Sequence, residues 1–221
     1  LIGGWAVRSW RQSGWMPLKR NLFMAVQDTD ATLDHFLRTG TWKHMRRTPD
    51  QWKKWASIGA SSKAVSDHPD LFTEAGQPGP LVYEVELYQG CVRYKRGCKF
   101  CIEPKKGVPV WRDERDVIEE IRLAADSGVR NVRIGGATDV YTYKAEGVVE
   151  LEYPVPNPQP ISDVLHGIRE DERIEILHVD NANPSIISEN LEEASAITET
   201  MVDTLSDGAV LSFGLESADS R

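Results

Sequence analysis

The spacing of hydrophobic residues changes near residue 80, from short helical patterns to an alternation of strands and helices. In the first part, Asp30 is placed to cap a helix, and Gly40 is placed to end it. Thr48-Pro49 predicts the start of a second helix, because a capping threonine is followed by proline at the first helical position. Trp52 and Trp55 then fall on one face of that helix. We therefore expect two short helices in this part of the chain.

Residues 1–80 are predicted to be an incomplete N-terminal domain followed by a linker. The first residues, from Leu1 to Trp5, have the pattern of the end of a buried strand. Turn-forming residues are concentrated in 61–80, as is typical of a linker. At the other end, the chain stops a few residues after a predicted strand, which would leave a sheet edge unpaired. We expect the sequence to be the middle part of a longer protein.

Beyond residue 80, four strands alternate with three helices. The strands are predicted at 81–88, 131–134, 174–179 and 209–215, and the helices at 113–127, 162–169 and 189–205. This alternation predicts a parallel sheet with right-handed crossovers, either an open doubly wound sheet or a (β/α) barrel. In both architectures the chemistry is expected at the carboxyl ends of the strands.

Charge is distributed unevenly along the chain. The net charge is −8, from 26 Lys/Arg and 34 Asp/Glu, but residues 1–110 carry +7 and residues 111–221 carry −15. A polyanion or an acidic protein would be attracted to the first half. Basic residues interleaved with tryptophans near residue 50 could stack on bases, although tryptophans at helical spacing are more often part of a core. The sequence contains no membrane-spanning run and no signal peptide, so a cytoplasmic protein is predicted.

Three cysteines, Cys91, Cys98 and Cys101, are the chain's only ones, and they fall within eleven residues. An odd number excludes a closed set of intrachain disulfides, so the clustering predicts metal or redox chemistry. Thiolates are soft ligands that favour zinc, Cu(I) or iron–sulfur clusters. A zinc site would need a fourth ligand such as His166 or His178.

A redox pair at Cys98-x-x-Cys101 is a further alternative, but the motif would then be expected to open a helix, and Pro104 follows at once. Three cysteines on a [4Fe–4S] cluster would instead leave one iron open for a substrate or a cofactor.

The cysteine spacing resembles the signature of radical S-adenosylmethionine (SAM) enzymes, in which three cysteines follow the first strand of a barrel. An aromatic residue precedes the last cysteine in that family, as Phe100 does here. The first gap is longer in this chain, C-x6-C-x2-C where C-x3-C-x2-C is usual. Gly135-Gly136 resembles the family's Gly-Gly-Glu motif, whose backbone holds the SAM amino group. The glutamate is missing here, and Asp139 is its possible substitute.

Two further segments resemble SAM-contacting positions of the same family. Glu216-Ser217, within Gly-Leu-Glu-Ser, is similar to the motif after the fourth strand, and Asp180-Asn181 lies where the family often contacts the ribose. More narrowly, the chain resembles an uncharacterised archaeal group of radical SAM proteins with a C-terminal helix-hairpin-helix module. The resemblance implies that 81–221 are the N-terminal part of a radical SAM (β/α) barrel, truncated at the fourth strand.

The resemblance implies an enzyme that reductively cleaves SAM to a 5′-deoxyadenosyl radical, with a [4Fe–4S] cluster held by Cys91, Cys98 and Cys101. Its substrate stays open, with tRNA modification, methyl or methylthio transfer and cofactor synthesis all compatible. Basic residues exceed acidic ones in 93–106, which predicts docking of an acidic electron donor such as ferredoxin or flavodoxin. The alternative function is a zinc-stabilised module that binds nucleic acid without catalysis.

Overall fold

The computed structural model describes residues 23–136 and 139–214. The predicted strand end at residues 1–5 lies outside these residues. The described strands are β1 (Val82–Val85), β2 (Tyr88–Gln89), β3 (Val110–Trp111), β4 (Asn131–Ile134), β5 (Ile176–Val179), β6 (Asn181–Ala182) and β7 (Ser212–Phe213). The described helices are α1 (Thr29–Thr39), α2 (Pro49–Ala60), α3 (Lys63–Ser66), α4 (Glu114–Asp126), α5 (Pro158–Arg169), α6 (Pro184–Glu189) and α7 (Leu191–Thr204). Two 3₁₀ helices span Glu103–Lys106 and Val140–Thr142.

A parallel three-stranded sheet forms the centre of the molecule, with the strand order β1-β4-β5. The middle strand pairs in register with both neighbours, so that Glu84, Arg133 and His178 lie side by side across the sheet. Helix α4 connects β1 to β4, and α5 connects β4 to β5. The parallel α/β architecture predicted from the sequence is therefore confirmed. Within the described residues, the central sheet has three strands.

One face of this sheet is covered by helices, and the other is exposed. Alternate residues point to opposite faces of a strand, and the covered face presents the buried side chains Val85, Val132, Ile134, Leu177 and Val179. These pack in one cluster with apolar residues of α4, α5 and α7. The opposite face carries Val82, which is 52% exposed, and Ile176, which is 39% exposed.

The predicted helix boundaries are partly confirmed and partly wrong. Thr48 caps α2 as predicted, in a capping box with Gln51, and Gly40 ends α1 in the left-handed conformation with φ 70°. The predicted cap at Asp30 is wrong, because Asp28 accepts the backbone N–H of Ala31 at 2.9 Å. Both aspartates lie before the first apolar face, and the sequence does not distinguish them.

The later helices differ from prediction where proline and asparagine intervene. The predicted start at Ser162 is wrong, since α5 begins at Pro158 and also accommodates Pro160 in its first turn, where proline costs no hydrogen bond. The helix predicted over 189–205 is α7, which starts at Leu191 after a separate short helix, α6.

Two strand predictions were also too simple. The strand predicted over 81–88 stops at Val85, and β2 turns away to pair antiparallel with β3. The fourth strand, predicted over 209–215, is only the two residues of β7, and it pairs in parallel with β6 rather than with β5. Because β6 follows β5 directly after Asp180, the fourth strand still lies beside the third at its carboxyl end.

The segment predicted as a linker packs against the sheet region. It contains α3, and Leu71 is buried in the same core cluster as the sheet residues. The Asn131 side chain donates hydrogen bonds to the carbonyl oxygens of Gly79 and Leu81, both at 3.1 Å. Among the described helices, none combines the length and the apolar character that crossing a membrane requires.

Candidate functional site

A cavity of about 850 Å³ lies at the carboxyl ends of the parallel strands. All three cysteines line it from one loop, which also contributes Glu103, and the opposite side of the cavity comes from residues that follow β4, β5 and β7. The other lining residues discussed below are Glu84, Glu103, Gly136, Asp180, Asn181, Asn183, Ser185 and Gly214. The expectation that the unusual segments meet at this edge of the sheet is met for those within the described residues.

The cysteines lie on the connection between β2 and β3, residues 90–109, which we call the cysteine loop. The β2–β3 pairing closes the base of this loop, and the Cys91 N–H donates to the carbonyl oxygen of Gly107 at 3.2 Å. Gly90 has φ 111°, and a Cβ at this position would lie 2.7 Å from the same oxygen. Only glycine combines this backbone conformation with this close approach. The neck of the cysteine loop is therefore fixed by local sequence.

Two cysteine sulfurs accept hydrogen bonds from the backbone two residues further along. The Arg93 N–H donates to Cys91 Sγ at 3.3 Å, and the Glu103 N–H donates to Cys101 Sγ at 3.4 Å. Cys98 is exposed, and the other two cysteines are half-buried.

The cysteines have the donor chemistry of a soft-metal or iron–sulfur site. In residues 23–136 and 139–214, no three Cys, His, Asp or Glu side chains converge closely enough to form a metal site. The three thiols line one cavity, two of them accept N–H···S bonds, and thiolates are the ligands that iron–sulfur clusters use. Neither His166 nor His178 belongs to the described lining of the cavity, and His166 bonds to Ser162 on α5.

Gly135 and Gly136 follow β4 and lie against two glutamates near the end of β1. A Cβ at Gly135 would come within 2.9 Å of the Glu84 carboxyl group, and one at Gly136 within 2.6 Å of Glu86 Cγ. Gly136 also has φ 69°. Burial raises the pKa of the Glu86 carboxyl above its usual value. The glycine pair thus lets the backbone pass close to these side chains, and Gly136 lines the cavity.

An ionic row crosses the sheet beneath the cavity. Arg133 Nη2 lies 2.6 Å from Asp180 Oδ2, and Arg133 Nη1 lies 3.9 Å from Glu84 Oε2. The hydrogen bond to Asp180 raises the pKa of the Arg133 guanidinium. Sequence reasoning selected Asp180 and the neighbouring Asn181 but missed the other two residues. The sequence does contain a signal for them, because Glu84 and Arg133 are charged residues between apolar neighbours in two predicted strands.

Asp139 is buried and caps the 3₁₀ helix Val140–Thr142. Its Oδ1 accepts the Tyr141 N–H at 3.0 Å. Burial raises the pKa of this carboxyl to about 7, and the backbone N–H groups of Tyr141 and Asn183 oppose the rise. The predicted SAM contact at Asp139 stays a prediction, and the residue is separated from Gly136 by two residues that are not described.

Phe100, Glu216 and Ser217 are the remaining residues predicted to contact the cofactor. Phe100 is 71% exposed and lies outside the described lining of the cavity. Glu216 and Ser217 lie outside the described residues, although Gly214, just before them, lines the cavity. Their roles stay predictions.

Much of the positive charge of the cysteine loop is paired within the chain. Arg93 and Arg96 both contact the carboxylate of Glu152, and Lys106 Nζ lies 2.6 Å from Glu103. An acidic electron donor would therefore meet fewer unpaired cations than the sequence suggests.

The basic and tryptophan-rich region near residue 50 is likewise engaged with the rest of the chain. Arg47 lies over the rings of both Trp52 and Trp55 and pairs with Asp28 at 3.0 Å. Lys53 Nζ lies 2.5 Å from Asp116 on α4. The Lys53 contact joins α2 to α4, and of the two tryptophans Trp52 is buried and Trp55 half-buried.

Comparison with known proteins connects the chain to archaeal proteins and to tRNA-modifying enzymes. It is 33% identical over 204 residues to an uncharacterised protein of Methanocaldococcus jannaschii, across 90% of this chain and 36% of that protein. It is 36% identical over 170 residues to an uncharacterised protein of Archaeoglobus fulgidus, across 75% of this chain and 29% of that protein.

A third relative is named for the reaction that it catalyses. The tRNA-2-methylthio-N(6)-dimethylallyladenosine synthase of Geobacter sulfurreducens is 31% identical over 124 residues, across 55% of this chain and 25% of that enzyme. No family model matches the chain. The chain spans about a third of the length of the first two relatives. It therefore has distant homology to tRNA methylthiotransferases and to archaeal proteins.

Proposed function

We propose that this chain contains the cofactor site of a radical SAM enzyme, with a [4Fe–4S] cluster on Cys91, Cys98 and Cys101. The observation that carries the proposal is the shared cavity: three thiols from one loop face residues that follow β4, β5 and β7. The carboxyl end of a parallel sheet is where α/β enzymes place their ligands. The distant homology to tRNA methylthiotransferases supports the same class of enzyme.

Each residue has a defined part in this proposal. The three cysteine thiolates would ligate the cluster, and the backbone N–H groups of Arg93 and Glu103 donate to two of the sulfurs. When bound, such a cluster supplies the electron that cleaves SAM and so starts radical chemistry. Gly136 lines the cavity without a side chain, so that a ligand can approach its backbone. Asp180 and Asn181 provide oxygen acceptors for hydroxyl and ammonium groups.

The exposed face of the sheet supports the assignment of a barrel. A parallel sheet normally has both faces covered, but here the face of Val82, Arg133 and Ile176 is exposed within the described residues. In a (β/α) barrel this face would line the interior, and the helices would remain outside. We assign residues 81–221 to the N-terminal part of such a barrel and residues 1–80 to a preceding domain.

A tRNA is the substrate that the relatives favour. Several of the relatives are named as tRNA-2-methylthio-N(6)-dimethylallyladenosine synthases, and those of Geobacter sulfurreducens and Citrifermentans bemidjiense match 55% and 58% of this chain. The positive charge of residues 1–110 is compatible with a polyanionic substrate. We therefore propose that the radical acts on RNA.

Anaerobic reconstitution of the full-length protein with iron and sulfide tests the cluster. We expect about four irons per chain and broad absorption near ~400 nm. Both are expected to be lost when Cys91, Cys98 and Cys101 are all replaced by alanine. The matched control is Ser185→Ala, which changes the same cavity without removing a thiol and should leave the iron content unchanged. Reduction in the presence of SAM should then release 5′-deoxyadenosine from wild type but not from the triple alanine variant.

The outcomes separate the proposal from its alternative. Stoichiometric zinc without a chromophore would overturn the radical SAM assignment and support a zinc-stabilised binding module. Four irons without cleavage of SAM would retain the cluster and refute the enzyme class. Incubation with total tRNA, followed by nucleoside analysis, tests the substrate separately.

A further inference from the structure

Two arginines of the cysteine loop share one carboxylate from a distant segment. Arg93 Nη2 lies 3.3 Å from Glu152 Oε1, and Arg96 Nη1 lies 3.2 Å from Glu152 Oε2. Both arginines lie between Cys91 and Cys98, within the first and longer gap of the cysteine motif. Each carboxylate oxygen is thus engaged by a different guanidinium group. The carboxylate fastens the part of the loop that joins the first two cysteines.

The same two segments touch at two further points. Lys95 Nζ donates to the carbonyl oxygen of Val149 at 2.9 Å, and the Arg93 guanidinium lies 5.5 Å from the centre of the Tyr153 ring. A small cavity of about 140 Å³ lies between the segments. All three cationic residues of this gap therefore contact the one segment.

That segment is itself closed into a defined loop, residues 146–155, which we call the strap. Glu146 and Val155 exchange backbone hydrogen bonds of 2.8 and 3.0 Å at its ends. Inside it, the Leu151 N–H donates to the Gly147 carbonyl oxygen at 2.8 Å, and Gly147 has φ 74°. Glu152 therefore lies on a loop whose backbone is closed by hydrogen bonds at both ends.

We propose that Glu152 is a positioning residue, which holds the cysteine loop so that Cys98 stays at the cavity. A single exposed ion pair contributes little to stability. Here the Glu152 carboxylate pairs with two guanidinium groups. Lys95 adds a bond to a strap carbonyl oxygen, and Arg93 adds a contact with the Tyr153 ring. Charges in such a network contribute more to stability than an isolated surface pair does. Cys98 is exposed and depends on this connection more than Cys91, whose N–H is fixed at the loop neck. The role of the strap in holding Cys98 for a cluster rests on the proposed function, whereas the contacts of Glu152 with Arg93 and Arg96 are independent of it.

The test uses Glu152→Gln in the full-length protein before any iron is added. Glutamine keeps the size of the side chain and removes the charge that both arginines share. The matched control is Glu150→Gln, because Glu150 lies on the same strap and its side chain is exposed. We measure the rate of amide hydrogen exchange over residues 91–101 by peptide mass spectrometry.

We expect Glu152→Gln to raise the amide hydrogen-exchange rate of residues 92–98 about three- to tenfold, the effect of losing roughly 1 kcal/mol of local closure. Arg96→Gln should reproduce the increase, and adding it to Glu152→Gln should produce no further increase of similar size. High salt should raise the rate in wild type and leave Glu152→Gln nearly unchanged. The melting temperature should stay the same in all these variants.

A rate in Glu152→Gln equal to that in Glu150→Gln would overturn the proposal, as would full additivity with Arg96→Gln. If Glu152→Gln lowers the melting temperature, the proposal is judged on Arg96→Gln alone. The Arg96 side chain is 73% accessible, so replacing it should not disturb the folded core. All of these readouts are taken on free thiols, so failure of cluster assembly would refute the proposed function without affecting this inference.

Discussion

Arg112 is a buried cation beneath the cysteine loop, and its removal should be strongly destabilising. The residue is 3% exposed, and its Nη1 lies 2.5 Å from Glu120 Oε2. Its guanidinium also donates to the carbonyl oxygens of Glu86 at 3.1 Å and Asp116 at 3.3 Å, and it lies over the ring of Trp52. The side chain thus connects the carboxyl end of β1 with α2 and α4.

Replacing this arginine in Arg112→Met leaves Glu120 buried without its counterion. The carboxylate then retains the hydrogen bond from the Tyr83 hydroxyl, at 3.0 Å, as its described side-chain partner. Removing one member of a buried ion pair costs about 3–5 kcal/mol, which is a large part of a typical stability of roughly 5–15 kcal/mol. For a chain of this size, we expect the melting temperature to fall by about 6–20 °C.

Urea and thermal denaturation of the full-length protein measure this loss. The double variant Arg112→Met, Glu120→Leu removes both charges and should recover most of the stability, because no uncompensated charge remains. Arg122→Met is the matched control, since its pair with Glu170 is exposed and should be worth at most about 1 kcal/mol. If Arg112→Met costs no more than Arg122→Met, or if the double variant is less stable than the single one, the reasoning is refuted.

Two further predictions concern Asp139 and the neck of the cysteine loop. Because the pKa of Asp139 is raised from 3.8 to about 7 in the folded protein, the folded state binds more protons between these values, and stability should fall as pH rises from 4 to 7, by up to about 4 kcal/mol. Asp139→Asn should flatten this part of the pH profile of urea denaturation, and an unchanged slope would contradict the assignment. Gly90→Ala should destabilise the protein and lower its iron content on reconstitution, because the methyl group meets the Gly107 carbonyl oxygen. Gly40→Ala shares the positive φ but meets open space, so it should cost only about 1–2 kcal/mol; a larger loss at Gly40 than at Gly90 would be inconsistent with this account.

The sequence predicted the parts of the fold that local chemistry determines. Thr48 with Pro49 and Gly40 mark helix ends because the relevant hydrogen bonds and backbone angles involve only neighbouring residues. The strand at 131–134 was predicted with its observed bounds, since its apolar residues are flanked by turn residues. The gathering of site residues at one edge follows from parallel strands, whose carboxyl ends meet there.

The parts that were missed depend on contacts between residues far apart in the sequence. Nothing local to Glu152 indicates that it lies beside Arg93 and Arg96, which precede it by more than 50 residues. The row formed by Glu84 and Arg133 likewise requires the register of two strands. Pairing with Glu152 also explains why counting cations in the cysteine loop overstated the charge available to a partner.

The closed neck of the cysteine loop separates the length of the loop from the pairing of β2 with β3. Since β2, β3 and the bond from Cys91 to Gly107 seal its base, residues added between Cys91 and Cys98 lengthen only the outer part of the loop. Three extra residues in a loop of this size cost about 0.2 kcal/mol of closure entropy. Chain closure alone therefore penalises a longer or shorter first gap only slightly, and the contacts of Arg93, Lys95 and Arg96 with the strap are what such a change would have to preserve.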